Sequence, residues 1–106
     1  MAGHLWKRTA NDLAQMIAAG EVSSLEVVNA HLDRINEVNG WLNAVTHVLA
    51  EEARTAAIEA DAAVATGDEL GPLHGVPCTV KENVDVSGTA TTQGLPAFAE
   101  LIAPTD

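Results

Sequence analysis

Apolar positions recur at helical spacing near the start of the chain. The stretch begins at Thr9, which stands three residues before Asp12, as in a capping box where the cap side chain accepts from a free N–H group of the first turn. It ends at Gly20, a residue type that commonly terminates helices. The apolar side is formed by Leu13, Met16 and Ile17. This pattern predicts a first helix over about residues 9–19.

The same signals predict a second helix immediately afterwards. Ser23 and Glu26 have capping-box spacing, and Asn39-Gly40 marks the end of a helix over about residues 23–39. Its apolar stripe is formed by Leu25, Val28, Leu32 and Ile35. The charged residues Asp33, Arg34 and Glu37 lie off this stripe.

A third helix and two short strands complete the predicted elements. The helix covers about residues 49–66, and its apolar side is formed by Leu49, Ala53, Ala57, Ala60 and Val64. Residues rich in β-branched side chains predict a strand over 76–81 and a weaker candidate over 43–48. Beyond these, a Gly-, Thr- and Pro-rich stretch predicts an ordered loop with one helical turn at 96–101.

Composition and charge exclude several classes of function. A chain of 106 residues forms at most one small domain, and only 3% of its residues are aromatic. The formal charge of −10 disfavours both nucleic acid and anionic membrane surfaces as partners. A single cysteine excludes an intrachain disulfide and supports no zinc site. No signal peptide or long apolar span is recognisable, so a cytoplasmic protein is expected.

Lys81 is the residue that stands out chemically. It is the only Lys or Arg after Arg54, it ends the predicted strand, and acidic residues Glu82 and Asp85 follow it. A free lysine ammonium has a pKa of about 10.4, and burial lowers such values by up to several units. A lysine at a strand end in a closed site is therefore a candidate general base. The structural alternative is a lysine that reaches water and pairs with one of the two carboxylates.

The segment around this lysine resembles the amidase-signature family. The matching residues stand in the family's order and spacing: Gly71-Pro72-Leu73-x-Gly75-Val76-Pro77, then Val80-Lys81-Glu82-Asn83-Val84-Asp85-Val86, then Gly88-Thr89 and Thr91-Thr92-x-Gly94. The resemblance implies an α/β fold with a mixed central sheet covered by helices. Residues 1–106 would be the N-terminal segment of one such domain, supplying outer helices and the first strands.

The resemblance also implies an activity, namely hydrolysis of a carboxamide to a carboxylate plus ammonia or amine. The family uses a Ser-Ser-Lys apparatus, and its lysine corresponds to Lys81. The neutral lysine accepts a proton from one serine, which deprotonates the nucleophilic serine, and the nucleophile then forms an acyl-enzyme. Backbone N–H groups of a glycine-rich loop stabilise the oxyanion. This chemistry implies no cofactor, and its substrate is a small-molecule amide. The four histidines lack ligand spacing, so no metal site is expected.

The chain departs from the family because it lacks the Gly-Ser-Ser-Gly-Gly-Ser type stretch that carries both serines. Its only Ser-Ser pair, Ser23-Ser24, begins a helix and is interpreted as structural, and Ser87 is interpreted as a turn residue. The chain alone is expected to be inactive. Because it ends just after a glycine-rich loop, it looks interrupted, and we expect the remainder of an amidase or a second chain to supply the serines.

The remaining candidates are weaker. Cys78 alternates with valines along the predicted strand and is expected to be a buried, inert thiol. His74 precedes the strand and is a minor candidate for contact with the site, as is the loop 91–94. The two tryptophans, Trp6 and Trp41, are expected to be packing anchors.

The sequence is also compatible with three alternative hypotheses. The same motif occurs in the amidase-like subunit of tRNA-dependent amidotransferases, which would require companion subunits. A non-catalytic helical interaction module would instead bury its apolar stripes against a partner or another copy, as in a homodimer. The last alternative is a truncated polypeptide without a function of its own.

Overall fold

Three α-helices form most of the first two thirds of the chain. The computed structural model describes residues 4–106. Helix α1 spans Ala10–Ala18, α2 spans Ser24–Leu42 and α3 spans Ala50–Ala65. Two short 3₁₀ turns, Leu5–Lys7 and Pro96–Phe98, stand at either end. The helices lie where the sequence predicts them, whereas the predicted helical turn at 96–101 is confined to its first half.

The starts of α1 and α2 are encoded locally, as predicted. The Thr9 hydroxyl accepts a hydrogen bond from the Asp12 N–H group at 3.1 Å. The Ser23 hydroxyl accepts from the Glu26 N–H group at 2.9 Å, and the Glu26 carboxylate accepts from the Ser23 N–H group at 3.4 Å. This reciprocal pair confirms the capping box and the structural interpretation of Ser23.

Helix α2 ends three residues later than Asn39-Gly40 predicts. Gly40 lies inside the helix, which runs to Leu42 and ends at Asn43 in the left-handed conformation, with φ 53°. The Asn39 side chain accepts from the Val45 N–H group at 2.9 Å and donates to the Val45 carbonyl at 2.8 Å. Asparagine tolerates positive φ, so Asn43 terminates the helix in place of the predicted glycine.

Neither predicted strand is formed within residues 4–106. Residues 76–81 carry no β-ladder, and the isolated antiparallel bridge in this part of the chain joins Ala90 to Ile102. A strand exists only where a neighbouring segment accepts and donates its backbone hydrogen bonds, and no described segment does so for 76–81. At 43–48, the Val45 peptide groups are used by Asn39 instead. The mixed central sheet therefore stays a prediction.

Because residues 76–81 form no strand, their side chains lie in a different environment from the one predicted. Cys78 is exposed, so the prediction of a buried thiol is wrong for this chain. Val80 is exposed as well, whereas Val76 packs against the core. The difference arises because the segment leaves the helices after Val76 and meets no second layer in the described structure.

The core lies where the first 3₁₀ turn, α1 and α2 meet. Its buried members are Leu5, Leu13, Ile17, Val22 and Val27. Trp6 is half-buried, and the Arg34 guanidinium carbon lies 4.1 Å from its ring centroid. Trp41 is 76% exposed, so its predicted role as an anchor is wrong within residues 4–106.

The apolar sides of α2 and α3 pack against one another. Val28 of α2 and Ala57 of α3 are buried, and most of the other stripe residues are partly buried. The stripes that an interaction module would present to a partner are therefore largely used within the chain.

Ser24 joins α2, α3 and the turn that leads to Lys81. Ser24 is only 1% exposed. Its hydroxyl donates a hydrogen bond to the Gly75 carbonyl at 2.6 Å. The N–H groups of Ser24 and Leu25 donate to the Asp61 carboxylate of α3 at 2.6 and 3.1 Å. The His74 ring adds a contact to the Ala60 carbonyl at 2.9 Å. These bonds fix the start of the 71–81 segment on the helices.

We expect Gly75→Ala to destabilise the protein more than Gly67→Ala. Both glycines have positive φ, 80° and 74°, so each substitution costs about 1–2 kcal/mol in backbone strain. A Cβ atom at Gly75 would also lie 3.1 Å from the Ser24 Cβ and 3.2 Å from the Ile17 Cγ2, whereas Gly67 faces open space. Overpacking of this kind adds about 1–3 kcal/mol. Thermal unfolding of both variants measures the difference, and equal losses would contradict close packing at Gly75.

Candidate functional site

Lys81 lies at the start of a tight turn on the surface. It is exposed, and its carbonyl accepts from the Val84 N–H group at 3.0 Å. The ion pairs found among residues 4–106 are Arg34–Glu37 and Arg54–Glu51, and Lys81 takes part in neither. Of the structural alternative, exposure of Lys81 to water is observed, and the ion pair with a neighbouring carboxylate is not formed among the described residues.

The Glu82 carboxylate is occupied by a different partner. One of its oxygens accepts from the Thr92 N–H group, from the Thr92 hydroxyl at 2.6 Å and from the Gln93 N–H group at 3.1 Å. The hydrogen bond from the Thr92 hydroxyl has the largest effect on the pKa of Glu82. Together with the two N–H groups it lowers the pKa of Glu82 below its ordinary 4.5, against an opposing effect of desolvation.

Asp85, three residues after Glu82, also binds the loop 91–94 through its carboxylate. Its carboxylate accepts from the Thr91 hydroxyl at 2.5 Å. Gln93, the residue after the paired threonines, has φ 51°, a conformation that non-glycine residues adopt uncommonly. Two carboxylates therefore bind consecutive threonines, and the loop 91–94 is held beside the Lys81 turn in a defined conformation.

The C-terminal segment closes around the same loop. The Gly88 N–H group donates to the Ala103 carbonyl, and the Ala103 N–H group donates to the Thr89 carbonyl, both at 2.9 Å. The Ser87 N–H group donates to the Asp106 carboxylate at 2.7 Å. Ser87 is thus a turn residue, as predicted.

The structure brings together part of the predicted site. Lys81 and the loop 91–94 are linked through Glu82, whereas the His74 ring is engaged by α3. The sequence left the partners of Glu82 and Asp85 open. The signal that identifies them is the pairing of two acidic residues with two threonines in a glycine-bounded loop, where hydroxyl and N–H donors are concentrated.

Among the residues that the structure describes, no helix is long and apolar enough to cross a membrane, and the cytoplasmic location stays a prediction.

Comparison with known proteins identifies the family. The family model described as Amidase matches residues 26–106. An indoleacetamide hydrolase of Bradyrhizobium diazoefficiens is 50% identical over 104 residues, covering 98% of this chain and 20% of that protein. A glutamyl-tRNA(Gln) amidotransferase subunit from Acidothermus cellulolyticus is 47% identical over 102 residues, covering 96% of this chain and 20% of that protein.

A solved structure extends the comparison to three dimensions. It is described as "an unexpected vestigial protein complex" that "reveals the evolutionary origins of an s-triazine catabolic enzyme". It matches with a TM-score of 0.89 at 32% identity, over 93% of this chain and 22% of its own. The chain thus spans about a fifth of the length of these relatives.

The lowered pKa of Glu82 predicts a pH-dependent loop. Because the folded-state pKa lies below the ordinary 4.5, the carboxylate contributes stability above that value and loses it as the pH falls through the lowered pKa. We expect the backbone N–H resonances of Thr92 and Gln93 to titrate in NMR spectra with a midpoint below 4.5. Thr92→Val should raise this midpoint, because it removes the largest cause of the shift. A midpoint at or above 4.5 in the unmodified protein would contradict the three-donor arrangement.

Proposed function

Because the chain belongs to the amidase family, we propose that the complete protein hydrolyses the carboxamide of a small, linear amide to a carboxylate plus ammonia or amine. The observation that carries this proposal is the family segment around Lys81. It lies in a chain of which 98% aligns, at 50% identity, with an indoleacetamide hydrolase. These residues form a minor part of the relatives' length, so the activity belongs to the whole protein.

In this proposal Lys81 is the general base of a Ser-Ser-Lys apparatus. The neutral amine accepts the proton of a bridging serine as that serine takes the proton of the nucleophilic serine. The nucleophile bonds to the amide carbon, the C–N bond breaks, and the leaving amine departs with the proton that Lys81 had accepted. Water then cleaves the acyl-enzyme and releases the carboxylate. The serines are supplied by polypeptide outside these 106 residues.

The proposal requires further polypeptide to cover Lys81. A lysine serves as a base where a closed, desolvated site favours its neutral form, and Lys81 is exposed among the described residues. From residue 80 onward, five large apolar side chains are more than half exposed: Val80, Val84, Leu95, Leu101 and Ile102. The radius of gyration of 15.2 Å also exceeds the roughly 13 Å of a compact domain of this length. Both features support packing on the remainder of an amidase or on a second chain.

Transfer of ammonia within an amidotransferase is the second candidate function. Several glutamyl-tRNA(Gln) amidotransferase subunits are 42–47% identical to this chain, which places them close behind the hydrolase. Such a protein would use the same lysine but transfer the released ammonia to an acceptor in companion subunits. Affinity purification of the complete protein distinguishes the two: stable co-purification with companion subunits favours the amidotransferase, and activity on a free amide without them favours the hydrolase.

We expect Lys81→Ala to reduce amide turnover by the complete protein by about 10³-fold or more, because the serine would lose its base. The matched control is Lys7→Ala, which replaces the only other lysine in these residues, on the first 3₁₀ turn. Ammonia release by the folded variants measures the effect. Near-normal turnover by a folded Lys81→Ala variant would falsify the assignment of Lys81 as the base.

A further inference from the structure

The turn that carries Lys81 is held by a carboxylate rather than by a sheet. Residues 76–81 form no ladder among the described residues, and the turn closes through the bond from the Val84 N–H group to the Lys81 carbonyl. Glu82, in the middle of this turn, accepts three hydrogen bonds from Thr92 and Gln93. The position of the turn relative to the loop 91–94 therefore depends on the Glu82 side chain.

From this geometry we infer that Glu82 is the positioning residue of Lys81. Consecutive Cα atoms are held about 3.8 Å apart by a planar peptide, so a movement of Glu82 is passed directly to Lys81. The inference rests on the proposed function, in which Lys81 accepts a proton. A misplacement of about 1 Å at such a group can lower the rate about 100-fold. Glu82 thus acts through its neighbour and has no contact with the substrate in this role.

The charge of Glu82 is what makes it suited to this role. All three donors converge on one oxygen, and hydrogen bonds to an ionised acceptor are about twice as strong as those between neutral groups. One of the donors is the N–H group of Gln93, whose positive φ is sustained only by its surroundings. Asp85 holds the same loop through a single hydroxyl, that of Thr91, so it supports the arrangement but binds fewer donors.

The test compares Glu82→Gln and Thr92→Val with Glu69→Gln in the complete protein. Glu82→Gln keeps the side-chain length and loses the charge, and we expect kcat to fall about 10- to 100-fold while KM changes less than about 3-fold. Thr92→Val keeps the two backbone donors and removes one hydroxyl, so we expect a smaller loss of about 3- to 10-fold. Glu69→Gln, which neutralises an exposed glutamate after α3, should keep the unmodified kcat.

Amide hydrogen exchange separates positioning from general damage. We expect Glu82→Gln to lose protection at Thr92 and Gln93 while the amides of α1 and α2 keep theirs. Glu82→Asp, which retains the charge on a shorter side chain, should recover part of the lost kcat. If Glu82→Gln does not fold, Thr92→Val provides the test, and a normal kcat for Thr92→Val would then overturn the inference.

The outcomes distinguish this inference from the proposed function. If Lys81→Ala is inactive and Glu82→Gln has a lowered kcat with a KM changed less than about 3-fold, both the proposed function and the positioning role are supported. Inactive Lys81→Ala with a folded Glu82→Gln of normal kcat overturns the positioning role and leaves the base assignment intact. Active Lys81→Ala overturns the proposed function and, with it, the inference.

Discussion

The architecture depends on the buried hydroxyl of Ser24. A polar group at 1% exposure must be hydrogen-bonded to avoid a desolvation cost, and this hydroxyl finds its partner 51 residues away, in the Gly75 carbonyl. Its own N–H group, at the start of α2, is taken by the Asp61 carboxylate of α3. The N-terminus of α2 is thus capped both by a neighbour in sequence and by a charge from another helix, which the helix dipole favours. One residue thereby connects two helices and the segment that leads to the site.

From this junction the structure changes from a packed core to a hydrogen-bonded loop. Val76 is the last residue of the segment that packs against the core, and residues beyond it are held mainly by polar contacts. Glu82 and Asp85 bind the threonines, and Gly88 pairs with Ala103. A typical hydrogen bond contributes only about 0.5–1.5 kcal/mol to the free energy of unfolding, because folding also breaks hydrogen bonds to water. The C-terminal third is therefore ordered by specific pairings, and its apolar side chains remain open to a further layer of protein.

The sequence predicts best what is determined by neighbours in the chain. The caps at Thr9 and Ser23 form within three residues and are correctly predicted for that reason. The Asp61 cap on α2 joins residues 36 and 37 positions apart, and no local pattern announces it. The predicted end of α2 is wrong because the two signals at 39–43 compete: Gly40 is tolerated within the helix, and Asn43 adopts the terminating conformation instead.

The same distinction explains the site. The amidase-signature motif identifies the family because the motif is contiguous, whereas the strand expected at 76–81 depends on a neighbouring strand, and none forms beside it among the described residues. Cys78 is expected to be buried through that strand and is exposed for the same reason. Trp6 and Trp41 differ likewise: the stacking partner of Trp6 lies on α2, while Trp41 meets no described layer.

The acidic residues near the site serve as internal acceptors. A carboxylate beside an amine favours the charged ammonium, which is the wrong form for a base. Glu82 and Asp85 stand one and four residues after Lys81, yet their oxygens are engaged by donors of Thr91, Thr92 and Gln93. The threonines therefore fix the loop beside the turn, and neither carboxylate forms an ion pair with Lys81 among the described residues. Hydrogen bonds to Glu82 stabilise its charged form, so the neutral form of Lys81 that the proposed chemistry needs depends on desolvation by further polypeptide.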